Sequence, residues 1–293
     1  MKLDPVCFLS MAVLAAGLSQ AAVAQSLETG GKLLLTRGVS TVEGQGGGGL
    51  APWALITGNE TDRGVGATAH VTAVELPDYS LHSYGVGVGL FDRVELSYTR
   101  QEFDTDDVGA ALGLGQGFAF GQDVWGAKVR VAGDAIYDQD KWLPQIAVGA
   151  TYKQNDQGAV ISAIGGQDDE GWETYASATK LLLDHSLLLN GTLRWTNANQ
   201  TGILGYGGNL NDDHELMAEA SVGYMLSRSL VIGGEYRMKP NNLAIAEEDD
   251  WIDLYAAWAI SKNLTLTGAY VDLGSIVTFE NQRGLYLSLQ TGF

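Results

Sequence analysis

Histidine is the residue type in this chain best suited to acid–base or metal chemistry, and there are four: His70, His82, His185 and His214. No two of them form the H-x-x-x-H spacing of a metal site, and no G-x-S-x-G elbow of a hydrolase is present. We therefore predict no metal and no cofactor. His214, next to Asp212 and Asp213, is the only candidate for a lipid-modifying enzyme, but a group without a motif is weak support. We predict that the protein is not an enzyme.

A second set of charged residues alternates with apolar residues along extended stretches of the chain. The members of this set are Glu95, Lys128, Arg130, Arg194, Glu219, Glu235, Arg237 and Asp253. Successive side chains of a strand point to opposite faces, so these charges would share the polar faces of their strands. If the strands close into a barrel, the charges would face its lumen. There they could line an aqueous path, or they could form salt bridges that block it.

The strands that position these charges occur as hairpins. In YGVGVGLFDRVELSYTRQEF (84–103), apolar residues occupy every second position on both sides of a turn at 91–93. Period-two alternation around a short turn is typical of a β-hairpin. The pattern recurs in 174–195, 216–239 and 251–271. A fifth hairpin is predicted over 122–153, in which Trp125 and Trp142 lie on opposing strands.

The connections between these strands are of two kinds that alternate along the chain. One kind is short, and the other is longer and acidic: 104–121, 154–171, 198–213, 239–250 and 272–283. Membrane barrels built of hairpins have this asymmetry, and their strands cross the bilayer in about 9–11 residues. We predict an all-β, antiparallel, up-and-down transmembrane β-barrel of about 12 strands (range 10–14). A soluble periplasmic β protein is the alternative, in which the apolar faces would form a core.

The chain divides into three predicted parts. Residues 1–24 are typical of a signal peptide, with an apolar stretch (VCFLSMAVLAAGL) followed by Ala22, Val23 and Ala24 as a small-x-small cleavage site. Residues 25–60 contain GQGGGG (44–49) and are predicted to form a plug or a lead-in. Residues 61–293 are predicted to form the barrel, with 64–76 as its first strand. Export through this signal predicts the outer membrane of a Gram-negative bacterium.

The C-terminus ends inside an alternating pattern. Leu285, Leu287, Leu289 and Phe293 share one face of GLYLSLQTGF, although Thr291 interrupts that face with a small polar side chain. A barrel in lipid must pair its last strand with its first, because an unpaired edge is costly there. This ending resembles the recognition signal of the barrel assembly machinery, which we expect as a partner.

Composition restricts the other partners. The formal net charge of −18 opposes sequence-independent binding to nucleic acid. No uncharged apolar stretch after the signal reaches the roughly 20 residues of a membrane helix. The expected partners are therefore outer-membrane lipid and small solutes.

Several long segments also resemble one proteobacterial family. They include LGLGQGFAFGQDVWGAKVRVAGDAIYDQDKWLPQIAVGA (112–150), EEDDWIDLYAAWAISKNLTLTGAYVDLG (247–274) and NQRGLYLSLQTGF (281–293). The resemblance covers nearly all of the chain after the signal. The family is an uncharacterised domain of unknown function, whose members look like exported β-rich proteins. The resemblance thus adds to the barrel prediction and implies no activity or catalytic residue.

The sequence favours a passive channel or transporter for small solutes. The first alternative is a non-conducting structural or binding barrel with a salt-bridged lumen. A lipid-modifying enzyme at the rim is the second alternative.

Overall fold

The protein is a closed antiparallel β-barrel of twelve strands. A computed structural model of the chain describes residues 30–293 with the exception of Leu112 and Ala246. The predicted signal peptide, 1–24, lies outside the described residues. Each strand pairs with its neighbours in the sequence, and the last pairs with the first. The predicted up-and-down barrel of about twelve strands is confirmed.

Two short strands, β1 (Val39–Ser40) and β2 (Gly46–Gly47), precede the barrel and pair with each other. The barrel strands are β3 (Val65–Glu75), β4 (Ser80–Leu90), β5 (Val94–Asp104), β6 (Ala119–Ala132), β7 (Gln145–Asn155), β8 (Glu170–Leu182), β9 (Leu187–Thr196), β10 (Glu215–Ser227), β11 (Leu230–Arg237), β12 (Trp251–Ala259), β13 (Leu264–Asp272) and β14 (Arg283–Gly292). The predicted first strand, 64–76, matches β3 to within one residue at each end.

Alternation of side chains gives the barrel an apolar exterior and a polar interior. On β12, Asp253 and Tyr255 are buried inside, whereas Ile252, Leu254 and Trp258 are exposed on the outside. An apolar exterior is stable in lipid, where backbone groups must all be paired within the protein. Hydrogen bonding around a closed sheet satisfies that requirement because no strand edge is left open.

The C-terminal residue completes the closure. Strand β14 pairs with β3 from Leu285 opposite Glu75 to Gly292 opposite Thr68. The Phe293 amide then donates to the Ala67 carbonyl (2.9 Å), and the Phe293 carbonyl accepts from the Ala67 amide (3.1 Å). The chain therefore uses its last residue in the ladder, and the Phe293 side chain remains exposed.

The barrel has two different ends. We call the end where β3 begins and β14 finishes the terminal end, and the opposite one the loop end. Most terminal-end connections are short turns, such as 91–93 and 228–229, and most loop-end connections are long. The predicted strict alternation is wrong in two places, because the loop-end turn 76–79 is short and the terminal-end connection 133–144 is long.

The long terminal-end connection also corrects the prediction for Trp142. This residue lies outside the strands and is 89% exposed, so it does not oppose Trp125. The physical reason is local. Gly133 has a φ of +69°, which ends β6, and Pro144 lacks the N–H that would extend β7 towards Trp142.

The interior is filled by the chain segment that precedes β3. Residues 36–60 are all buried, and we call them the plug. A barrel of about eight strands is filled by its own side chains, whereas one of 16 or more leaves a channel. Twelve strands lie between these limits, and the plug occupies the interior.

Part of the loop-end connection between β9 and β10 also folds inward. Its residues 197–208 are buried, and we call them the cap. Lys153 donates to the Thr201 carbonyl (2.8 Å) and Asn155 donates to the Ile203 carbonyl (2.9 Å), which fixes the cap to β7. Short helices at Asp106–Ala111 and Gly158–Ala163 lie in other loop-end connections. Within the described residues, no helix is long and apolar enough to span a membrane.

Candidate functional site

The lumen wall holds seven of the eight charged residues singled out from the sequence. These seven are 3% exposed or less: Glu95, Lys128, Arg194, Glu219, Glu235, Arg237 and Asp253. Arg130 lies instead at the terminal-end rim, where it pairs with Asp92 (2.5 Å) and Asp134 (3.5 Å). A shift in the strand register next to Arg130 and its place near the end of β6 account for this position.

Glu95 and Lys128 form one anchor for the plug. Their side chains pair across β5 and β6 at 3.0 Å. Glu95 accepts hydrogen bonds from the backbone amides of Gly46 (3.0 Å) and Thr57 (2.8 Å). Lys128 donates to the carbonyls of Gly46 (2.8 Å) and Trp53 (3.1 Å). The pair thus binds plug backbone rather than plug side chains, which requires close approach of the chain.

A second contact joins the plug to one of two neighbouring acids of the wall. Glu235 and Asp253 are directly opposite each other on β11 and β12. Glu235 accepts from the Leu50 amide (2.7 Å) and from the Ser221 hydroxyl (2.6 Å). A Cβ atom on Gly48 would overlap the Glu235 carboxylate, so a larger residue there would displace this side chain.

The most highly charged part of the lumen surrounds Glu43 at the tip of the plug. We call it the Glu43 site, and its members are Glu43, Lys153, Glu173, Arg194, Glu219 and Arg237. Glu43 Oε1 lies 2.7 Å from Lys153 Nζ and 2.9 Å from Arg237 Nη2. Its other oxygen lies 3.8 Å from Arg194 Nη1. Strands β7, β9 and β11 bring these three cations together.

Electrostatics keep Glu43 ionised. Burial raises the pKa of its carboxyl, but attraction by Arg237, Lys153 and Arg194 outweighs burial and leaves the pKa below its usual value. A buried ion pair depends on such compensation, since removing one partner leaves an uncompensated charge. Glu43 therefore connects the plug to three wall strands through ion pairs.

Several buried polar atoms near the Glu43 site lack a hydrogen-bond partner among the described residues. They include Nη1 and Nη2 of Arg194 and the hydroxyls of Tyr175 and Tyr206. The Arg194 guanidinium lies over the Tyr175 ring at 5.2 Å. Buried polar groups in folded proteins are nearly always bonded to protein, water or ligand. Unused donors thus converge on the Glu43 site.

At the terminal end, the plug is held by charge and by apolar packing. Lys32, just before the plug, pairs with Glu60 (3.5 Å) and Asp92 (2.9 Å). Burial raises the pKa of Glu60 to about 7, with Lys32 acting in the opposite direction. Trp53 and Leu55 pack with Ala135, Ile136, Leu181 and Leu188 in a small apolar cluster.

Outside the barrel, aromatic residues form a ladder towards the loop end. Tyr98, Trp125, Tyr152 and Trp172 are direct partners on β5 to β8. Their ring centroids are 4.9–5.7 Å apart. The Tyr98 and Tyr152 hydroxyls donate to Asp123 (2.8 Å) and Glu170 (2.6 Å). Rings with an apolar body and a polar tip suit the interface between lipid and water.

The histidines occupy unrelated positions. His70 is buried in the lumen wall of β3, and His82 lies on the outside of β4. A His214 ring nitrogen lies 3.1 Å from the Trp172 carbonyl, and the His214 ring stacks on Trp195. In the described part of the chain, no hydrogen bond joins His214 to Asp212 or Asp213, and no group of side chains suits a metal ion.

Sequence reasoning missed three members of the Glu43 site. Lys153 and Glu173 follow the period-two alternation of β7 and β8, so position alone could have identified them. Glu43 lies in a segment with little periodicity. No sequence signal for its partners existed, because its contacts come from strands more than 100 residues away.

A closed twelve-stranded barrel with an apolar exterior, an aromatic ladder and a charged interior defines the class of outer-membrane β-barrel proteins. Within that class, the chain belongs to the family described as "Protein of unknown function (DUF3034)", whose model matches residues 36–290. Plug and barrel therefore lie together in the matched region. A comparison with curated protein sequences found no match.

Solved structures support the same class. The KdgM porin has a TM-score of 0.50 at 10% identity, over 77% of this chain and 99% of that chain. A second structure, of KdgM porin in complex with disordered oligogalacturonate, gives 0.51 at 10% identity over the same shares. At this identity the likeness shows a shared barrel fold.

Proposed function

We propose that the protein is an outer-membrane channel for small polar solutes that the plug closes in this structure. The observation that carries the proposal is the polar contact between plug and wall. Glu95, Lys128 and Glu235 hold the plug through its backbone, and Glu43 holds it through charge. These contacts are of the kind that water replaces when a channel fills.

The energetics favour a plug that can leave. A hydrogen bond to a charged group contributes a net of only about 1.5–3 kcal/mol, because water replaces the lost partner. The vacated wall would present charged side chains, which hydrate well. A permanently closed barrel needs no such wall, since an apolar interior would pack more stably than buried ion pairs.

The apolar exterior of the barrel indicates its membrane location and its partners. Porin-like barrel neighbours support an outer-membrane location in a Gram-negative bacterium. Lipid would then cover the apolar strand faces, and the barrel assembly machinery would recognise Phe293 with Leu285, Leu287 and Leu289. Phe293 and these leucines are exposed on the outside of β14 and its end, where a partner can reach them.

The test locks the plug with a disulfide. An ideal Cβ on Gly126 of β6 lies 3.6 Å from Cγ of plug residue Gln45, so the sulfurs of cysteines at positions 45 and 126 can come within bonding distance. The Q45C/G126C variant is made in an S97A background, because the new Cβ would contact the Ser97 hydroxyl. S97A alone is the matched control. After the predicted signal cleavage, the chain has no other cysteine.

In planar bilayers, wild type and S97A should show discrete conductance steps. The oxidised double-cysteine protein should show no conductance steps, and a reductant should restore them. Steps that persist in the fully oxidised protein would refute plug displacement as the opening event.

The second candidate is a non-conducting barrel, and the filled lumen favours it. In that case wild type, S97A and the reduced double variant would all be silent at every voltage. The barrel would then be a structural or binding protein that uses its loop-end connections.

A further inference from the structure

The Glu43 site carries an imbalance of charge that the plug corrects. The wall contributes the three cations of the site and only two acids, Glu173 and Glu219. The third negative charge comes from Glu43 on the plug. When the plug leaves, the wall of the site therefore retains one net positive charge.

We propose that this wall site binds the carboxylate of an anionic solute, and that Glu43 occupies it in the closed state as an internal competitor. The inference rests on the proposed channel function, because a solute reaches the site only when the plug moves. It adds the chemical class of the solute, a small molecule with a carboxylate group.

The unused donors of Arg194 support this assignment. Arg194 donates from Nε to Glu219, whereas its Nη1 and Nη2 have no hydrogen-bond partner among the described residues. The nearest oxygen of Glu43 is 3.8 Å from Nη1, beyond hydrogen-bond distance. A guanidinium binds a carboxylate best through two parallel N–H donors. A free solute can adopt that arrangement, which the tethered plug residue does not reach.

The neighbouring groups also fit such a solute. The hydroxyls of Tyr175 and Tyr206 are buried, and no partner for either lies in the described part of the chain. Lys153 and Gln122 lie beside Tyr206 around Gly202 of the cap. Hydroxyl and amide groups next to a cation suit a carboxylate whose remaining atoms carry hydroxyls. A single net charge also matches one carboxylate rather than a doubly charged anion.

The test measures binding to the full-length protein in detergent by thermal unfolding. The probes are gluconate and sorbitol, which have the same chain length and differ by a carboxylate in place of a hydroxymethyl group. Potassium chloride at equal ionic strength separates a carboxylate effect from a general anion effect. The proteins are wild type, E43Q, which keeps the shape of the competitor without its charge, and E60Q, a matched plug variant outside the Glu43 site.

We expect gluconate to raise the unfolding temperature of E43Q, and sorbitol and chloride to leave it unchanged. The apparent dissociation constant for gluconate should be lower in E43Q than in wild type or E60Q by about tenfold or more. The reason is that apparent affinity scales with the fraction of molecules whose site is free. Equal effects of gluconate and chloride, or equal affinities of E43Q and E60Q, would overturn the assignment.

Conductance separates this inference from the proposed function. Steps in E43Q that are equally insensitive to gluconate and sorbitol, without thermal stabilisation, would leave the channel intact and refute the carboxylate site. Gluconate binding to a protein that never conducts would support the site and refute the channel. If E43Q does not fold, E43D keeps the charge on a shorter side chain and should show an intermediate affinity for gluconate; an affinity equal to that of wild type would refute competition.

Discussion

The anchor formed by Glu95 and Lys128 allows a quantitative prediction for E95Q. Glu95 uses both carboxylate oxygens to accept from plug amides, at 3.0 Å from Gly46 and 2.8 Å from Thr57. A glutamine side chain keeps one oxygen and places an NH₂ group against the other plug amide. One charge-assisted hydrogen bond is therefore lost and buried Lys128 loses its paired charge, which costs at least about 1.5–3 kcal/mol. Since about 1.4 kcal/mol corresponds to a tenfold change, undocking of the plug should become roughly 10- to 100-fold more frequent.

Hydrogen exchange measures this change directly. The amides of Gly46 and Thr57 are buried and bonded, so they exchange with solvent only when the plug undocks locally. In E95Q both should exchange faster by the factor above. The matched control is E102Q, which changes an exposed glutamate on the outside of the same strand. Unchanged exchange in E95Q, or equal acceleration in E102Q, would refute the role of Glu95 as an anchor.

Two further predictions concern other parts of the plug. G48A should weaken docking by about 1–3 kcal/mol, because its Cβ would overlap the Glu235 carboxylate. G49A should leave docking unchanged, because its Cβ would lie 3.5 Å or more from Asp253 and Tyr286. Hydrogen exchange of the Leu50 amide distinguishes the two variants, and equal effects would contradict the packing argument. For Glu60, burial raises the pKa from 4.5 to about 7, so its contribution to stability is complete below pH 4.5 and is lost as the pH rises through about 7. The unfolding temperature of wild type relative to E60Q should therefore fall between pH 5 and pH 8, and a constant difference would exclude this titration.

The fold was largely readable from the sequence because a membrane barrel imposes local rules. Alternation such as that of β12 follows from lipid on one side and a polar interior on the other, and each strand obeys it independently. The prediction of strand bounds failed where single residues ended the strands early. Pro144 and Gly133 lengthened one connection, and no alternation at Trp142 revealed it.

The site was only half predictable, for a different physical reason. Wall charges such as Glu95 and Arg194 stand out because they interrupt an apolar pattern at fixed spacing. Their partner Glu43 belongs to a segment whose conformation is set by the barrel around it rather than by its own periodicity. Contacts across more than 100 residues, such as that from Lys153 to Glu43, leave no local signature.

The glycine run of the plug explains how a segment without periodicity can serve the proposed function. A plug that covers charged wall groups must bring its amides within hydrogen-bond distance of them, and glycines ease this close approach. Gly44 lies against Thr99, Gly46 lies next to Glu95, and Gly48 lies against Glu235, so three glycines meet two wall strands, β5 and β11. The polar backbone thereby replaces the water that an open lumen would hold. Such a segment closes a hydrophilic channel without requiring an apolar wall, and this is why the same charges serve both the closed state and the proposed open one.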